Sequence, residues 1–511
     1  MTTMRRFIFI LSLLCTIGYA AQATIKLPAL ISDNMVLQQQ SVVTLWGWAS
    51  PGEKISVEVS WNKKKYAAVA DLNGNWYLKV KTAKAGGPYS ISFTGENNIT
   101  VKNVLLGEVW LASGQSNMEF PVGKSEGWRN GVHNYATEIP KANYPDIRMI
   151  DVPNLVADSI KNDFVGQWKV CDTANVKEFS GVAYFFSKEI LASTGYPIGI
   201  INSTWGGTPA ESWTKRSVLE SDTGFAHILD RYQKLLNDYP AAYQKYKTDL
   251  EQWKADTSSN KKRSPSAPLG SGWNKSPSKL YNGMIAPLIN YKIKGVIWYQ
   301  GESNAEYAWQ YRRLFPAMIK SWREDFKDIG MPFYFVQITP HKGQNPVIRE
   351  AQLFSWQTVA KTGMVVTTDY GDTNNIHPRN KEVVGKRFSL WALKNQYGKK
   401  NIEASGPVYK KMKVEGNKIR LYFDHDKGLV AKDGKPMQQF SIAAANDTTF
   451  VPAQAIIENN SVLIWSDAVQ QPADVRYGWQ NVPAAELYNS AGLPATPFRT
   501  DKRTVPTQGK E

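Results

Sequence analysis

The sequence predicts an α/β domain built on a parallel sheet, set in the chain between two β domains. Between residue 104 and about residue 400, apolar strands alternate with helical stretches. Before and after that block, short alternating segments follow one another with only turns between them. With 511 residues and 42% hydrophobic side chains, the chain has material for several cores.

Residues 1–23 read as a secretory leader: Arg5 and Arg6, an apolar run from Phe7 to Leu14, then the small-residue site Ala21-Gln22-Ala23. Gly18-Tyr19-Ala20 offers a second small-residue site, and the run is too short to span a bilayer. The expected product is exported and soluble, in the periplasm or outside the cell. Cys15 leaves with the leader, so Cys171 stays without a disulfide partner.

Residues 24–103 read as a β sandwich, with alternating segments at 42–48, 55–61, 75–80 and 89–93. Ser50-Pro51-Gly52, Leu72-Asn73-Gly74 and Gly86-Gly87 supply the turns. In the α/β block, residues 104–400, strands are expected at 104–111, 199–201, 295–299, 333–338 and 364–368. Helices are expected at 182–192, 307–326, 347–361 and 381–395. A polar, Tyr- and Lys-rich helical stretch and a Ser/Pro/Gly-rich loop, about residues 225–278, interrupt this rhythm as an insertion. Alternation returns in 401–511, at 418–423, 439–444, 453–457 and 462–465, and the two β domains are expected to brace the middle one.

The formal charge of +16 falls to +14 when Arg5 and Arg6 leave. The lysines are scattered, which is a solvated basic surface, and export excludes a nucleic-acid partner.

Chemistry gathers at strand ends. The strand at 104–111 runs into Ser113-Gly114-Gln115-Ser116-Asn117-Met118, a small-residue turn that exposes a serine beyond the carboxyl end of the sheet, where open α/β sheets bind ligands. Taken alone, a serine there is more often a helix N-cap, and the other strand-end motifs shift the balance. A second strand ends in Trp205-Gly206-Gly207-Thr208, and a third in Gln300-Gly301-Glu302-Ser303. A glycine pair brings backbone N–H groups close to a substrate, and a glutamine amide offers another donor to a developing oxyanion. Of the five histidines, His377 alone sits in such a loop, in Asp372-Thr373-Asn374-Asn375-Ile376-His377-Pro378.

These motifs, in this order, resemble the sialate O-acetylesterases of the SGNH hydrolase group. The tail, Val475-Arg476-Tyr477-Gly478-Trp479 and Gly492-Leu493-Pro494-Ala495-Thr496-Pro497-Phe498, resembles them too. The resemblance implies a flavodoxin-like sheet, Ser116 as nucleophile and His377 as base. It also implies an oxyanion hole from the Ser116 and Gly207 N–H groups and the Gln300 amide, with Asn117, Trp205 and Glu302 against the substrate. Many members carry an aspartate three residues before the histidine, where this chain has Asn374. Asp372 can orient the imidazole instead, with Asp369 and Glu302 as other stand-ins, and a Ser-His dyad is the alternative.

The implied reaction is hydrolysis of an O-acetylated sugar through an acetyl-enzyme, with no metal or cofactor and with activity falling through an ordinary histidine pKa of about 6.5. Acetylated xylan or pectin is the competing substrate class. A catalytically silent carbohydrate-binding protein is the competing function. Trp205, Trp298, Tyr299 and Trp309 suit stacking on sugar rings, or core packing.

Overall fold

The structure is a computed structural model describing residues 25–258 and 263–510. The expected leader lies outside the described residues, as do Lys261 and Lys262 of the insertion. In chain order the strands are β1 (Val36–Gln38), β2 (Val42–Trp48), β3 (Lys54–Val59), β4 (Lys64–Val69), β5 (Asn75–Lys81), β6 (Gly86–Thr94) and β7 (Asn98–Gly114). They continue with β8 (Asn143–Asp151), β9 (Lys169–Asp172), β10 (Ile198–Thr204), β11 (Gly295–Tyr299), β12 (Phe333–Gln337) and β13 (Thr362–Val366). The helices are α1 (Ser116–Glu119), α2 (Tyr135–Lys141), α3 (Gly181–Thr194), α4 (Arg216–Glu220), α5 (Ala226–Ala255), α6 (Ala308–Asp325), α7 (Pro346–Thr358) and α8 (Lys381–Gln396).

The central sheet runs β13-β12-β11-β7-β10-β8-β9, parallel except for the antiparallel edge strand β9. Alternation along its strands feeds two cores. Val109, Leu111, Val296, Trp298, Phe333 and Phe335 pack on one face with Leu314, Phe315 and Trp322 of α6 and Ile348 of α7. Their neighbours Trp110, Ala112, Ile297, Tyr299, Tyr334 and Val336 pack on the other face with Phe185 and Phe186 of α3 and Phe388 of α8. Strands buried on both faces are why these segments read as continuous apolar runs.

The expected strands and helices of this block fall on observed ones. β8 and β9 were not expected, because only the short run Ile147-Arg148-Met149-Ile150 in β8 is apolar enough to register. The boundary expected at residues 103/104 falls inside β7. This strand pairs with β6 through its first half and with β10 and β11 through its second, so the N-terminal β region and the central sheet share one strand. The left-handed backbone of Asn103 (φ 54°) marks the transition between the two roles. Beyond α8, residues 408–499 form two four-stranded sheets and one two-stranded sheet. α5 is an exposed arm with Ile228 its buried side chain. Among the described residues no helix is long and apolar enough to cross a membrane.

Trp298 is fully buried, with its ring centroid 5.6 Å from Trp322, 6.1 Å from Trp213 and 6.2 Å from Phe315. Trp298→Ala is expected to lower the unfolding free energy by about 3–5 kcal/mol, measured by denaturant titration.

Candidate active site

The carboxyl ends of β7, β10, β11 and β13 converge on one crevice. β7 ends at Gly114, whose φ of 132° is open to glycine. A Cβ there would stand 2.2 Å from the Tyr299 carbonyl oxygen, so glycine lets β7 and β11 close together just before the serine. The chain then turns into α1, and Ser116 begins that helix with most of its surface buried.

From the other side, the loop after β13 delivers His377. Its backbone N–H donates to Asn375 Oδ1 (2.9 Å), and its Nε2 lies 2.8 Å from Ser116 Oγ. The Trp128 ring stacks on the imidazole with centroids 4.5 Å apart. Burial, with Lys381 and His341 adding to it, pushes the imidazole down to about 4. It is therefore neutral, and able to accept a proton, across the neutral range.

The orienting acid is not where the sequence pointed. Asp372 Oδ1 accepts the N–H groups of Asn374 (2.8 Å) and Asn375 (3.0 Å), shaping the exposed loop instead of meeting the imidazole. Asp369 is held by both terminal nitrogens of Arg387 (2.8 and 2.6 Å). Glu302 Oε1 accepts from Asn117 Nδ2 (2.6 Å). Among the described residues no carboxylate hydrogen-bonds His377, so the geometry is that of a serine and histidine without a carboxylate partner.

Two further expectations are corrected. Gln300 is fully buried, and its Nε2 donates to Asn304 Oδ1 (2.7 Å) and the Thr208 carbonyl (3.2 Å), while its Oε1 accepts from the Tyr311 hydroxyl (3.1 Å). Its amide is consumed inside the protein and does not line the crevice. Asn117 is also fully buried and out of reach of a substrate; its Nδ2 donates to Glu302 and to the Ile376 carbonyl (3.0 Å), and its Oδ1 accepts from Lys381 Nζ (2.5 Å). Burial drives the two ionisable ends of this network toward neutrality, raising Glu302 and lowering Lys381 to about 7.

The remaining expected residues do meet. Ser116, Trp205, Gly206, Gly207, Glu302 and His377 line one open pocket of about 400 Å³. Gly207 adopts φ 74°, and a Cβ on Gly206 would lie 3.2 Å from that of Ser116, so the glycine turn sits directly against the serine. Neither the Ser116 nor the Gly207 N–H has an acceptor among the described residues. Gly206 N–H is taken by Glu119 Oε2 (2.6 Å), whose other oxygen pairs with Arg129.

Trp128, Arg129, Glu119 and Lys381 were missed. Glu119 lies three residues after Ser116 and was visible as part of the motif. Trp128 and Arg129 sit in a loop without periodicity, and a lysine opening a helix reads as exposed.

A solved structure of a carbohydrate acetylesterase from Xanthomonas citri is 35% identical, covering 94% of this chain and 100% of its own, with a TM-score of 0.80. The family profile described as "Carbohydrate esterase, sialic acid-specific acetylesterase" matches residues 266–390. This chain belongs to the sialate O-acetylesterase family of carbohydrate esterases. The sialate O-acetylesterases of Mus musculus and Homo sapiens are each 28% identical to this esterase, covering 96% and 92% of it and 97% and 91% of their own lengths. The esterase thus carries the SGNH-type sheet flanked by β structure that its motifs predict.

With the imidazole held at about 4, kcat/KM for p-nitrophenyl acetate is expected to stay level from roughly pH 7 to 5 and to fall through about 4 as the base is protonated. Asp372→Asn is expected to retain that profile and most of the rate, because its carboxylate does not touch the imidazole.

Proposed function

We propose that this esterase removes O-acetyl groups from sialic acid, with Ser116 as nucleophile and His377 as general base. The observation that carries the mechanism is the 2.8 Å contact between Ser116 Oγ and His377 Nε2 beside two backbone N–H groups that have no acceptor among the described residues. The imidazole takes the hydroxyl proton as Oγ attacks the acetyl carbonyl. The N–H groups of Ser116 and Gly207 receive the charge that develops on the carbonyl oxygen. His377 then gives that proton to the sugar oxygen as its bond to the acetyl carbon breaks, and the sugar leaves as an alcohol. A water deprotonated by His377 next attacks the acetyl-enzyme, and the proton returns to Ser116 Oγ as acetate departs.

Substrate choice is supported by the names of the mouse and human relatives and by the family description. Trp128 and Trp205 on the pocket wall suit a sugar face. We further propose export under the leader at residues 1–23, which intact-mass measurement of the secreted protein checks.

Ser116→Ala is expected to cut hydrolysis of p-nitrophenyl acetate by roughly 10⁴-fold or more without lowering the melting temperature. The wild type is expected to release acetate from O-acetylated sialic acid faster than from acetylated xylan. The reverse order would replace the substrate, and an active Ser116→Ala enzyme would replace the nucleophile.

A further inference from the structure

Next to the serine pocket lies a second cleft of about 490 Å³, which the reaction itself does not use. The two share Glu119, Arg129 and Asn154, so they form one trough with the Glu119–Arg129 ion pair on the ridge between them. The floor of the second cleft comes from the same edge of the sheet as the serine. Asp151 ends β8, and Asn202 is its register partner near the end of β10. Thr204, which closes β10, is the partner of Gly114, two residues before Ser116.

These floor groups form a graded set of hydrogen-bonding partners. Asp151 Oδ1 accepts from Asn202 Nδ2 (2.7 Å), and Thr204 Oγ1 stands 3.4 Å from Asn202 Oδ1. The second oxygen of Asp151 has no partner among the described residues. Burial raises the Asp151 carboxyl, so this acceptor is held in a partly dry place, where a hydroxyl partner gains most. Lys124 and Lys177 stand on the rim. The lining acids Glu119, Asp151 and Glu178 match the lining cations Lys124, Arg129 and Lys177 in number, so the cleft has no net sign that would select an anion. A carboxylate beside a carboxamide and a hydroxyl complements the neighbouring hydroxyls of a sugar ring.

We propose that this cleft is a second sugar subsite, holding through its hydroxyls the unit glycosidically linked to the acetylated sugar, with Asp151 and Asn202 as its principal partners. The acetylated unit then lies against Trp128 and Trp205, and the chain crosses the Glu119–Arg129 ridge. The esterase accordingly works best on acetyl groups still attached to an oligosaccharide. This inference rests on the deacetylase reading above, but not on which glycan is cleaved.

The test compares two substrate pairs: free O-acetylated sialic acid against the same sugar linked to lactose, and acetylated xylose against acetylated xylotetraose. In whichever pair is cleaved, the longer member is expected to have the higher kcat/KM by about 10-fold, the worth of a hydrogen bond to a charged group. Asp151→Asn, nearly isosteric, is expected to erase that preference while leaving p-nitrophenyl acetate turnover within about two-fold. Lys177→Ala on the exposed rim, which leaves the floor intact, is expected to weaken the preference in part. Equal rates within both pairs, or an undiminished preference in Asp151→Asn, would overturn the subsite. Loss of all sialic acid cleavage with a surviving chain-length preference on xylose substrates would overturn only the choice of glycan.

Discussion

The buried Asn117 carboxamide is the joint on which the crevice depends. It follows the nucleophile by one residue, and its three hydrogen bonds reach Glu302 after β11, the Ile376 carbonyl beside the base, and Lys381 at the start of α8. One side chain thus ties its own turn to two others from distant parts of the chain, the loop after β11 and the segment between β13 and α8. A lysine and a glutamate buried this deeply would each be costly alone, and the amide between them lets each polarise the other's partner. The nucleophile and base can then stay 2.8 Å apart with no carboxylate among the described residues bonded to the imidazole.

The C-terminal β region reinforces the same loop. The Asn481 carbonyl accepts from His341 N–H (3.3 Å), and Asn481 Nδ2 donates to the Lys342 carbonyl (3.2 Å). Lys342 N–H in turn donates to the Thr373 carbonyl (3.2 Å), four residues before His377. Arg349 of α7, fully buried, donates to the Gln480 and Asn481 carbonyls from inside the α/β domain. At the other end of the molecule, β7 carries the N-terminal β region into the sheet's central strand. Both β regions are therefore tied mechanically to the crevice, one through a strand and one through the loop that bears the base.

Much of this was legible in the sequence because apolar periodicity locates strands, and small or polar residues just past a strand mark the functional edge of a parallel sheet. Ser116, Gly207 and His377 could be placed on that edge by position alone. Position did not say which way a loop side chain points. Gln300 and Asn117 turn inward to satisfy buried partners, and Asp372 spends its carboxylate on the turn that presents the histidine loop. Each was plausible chemically, and each was claimed by the need to pair buried or turn-forming polar groups. Trp128 stayed hidden for the opposite reason, since no periodic pattern governs the loop that lays its ring on His377.

The chemistry turns on the acyl group passing through the Ser116 oxygen with help from the His377 imidazole. Rapid quenching of the enzyme with p-nitrophenyl acetate in acid, followed by peptide mass spectrometry, tests it most directly. A transient acetyl group is expected on Ser116, and none in His377→Ala. An acetyl group on another side chain, or undiminished acylation without His377, would contradict it.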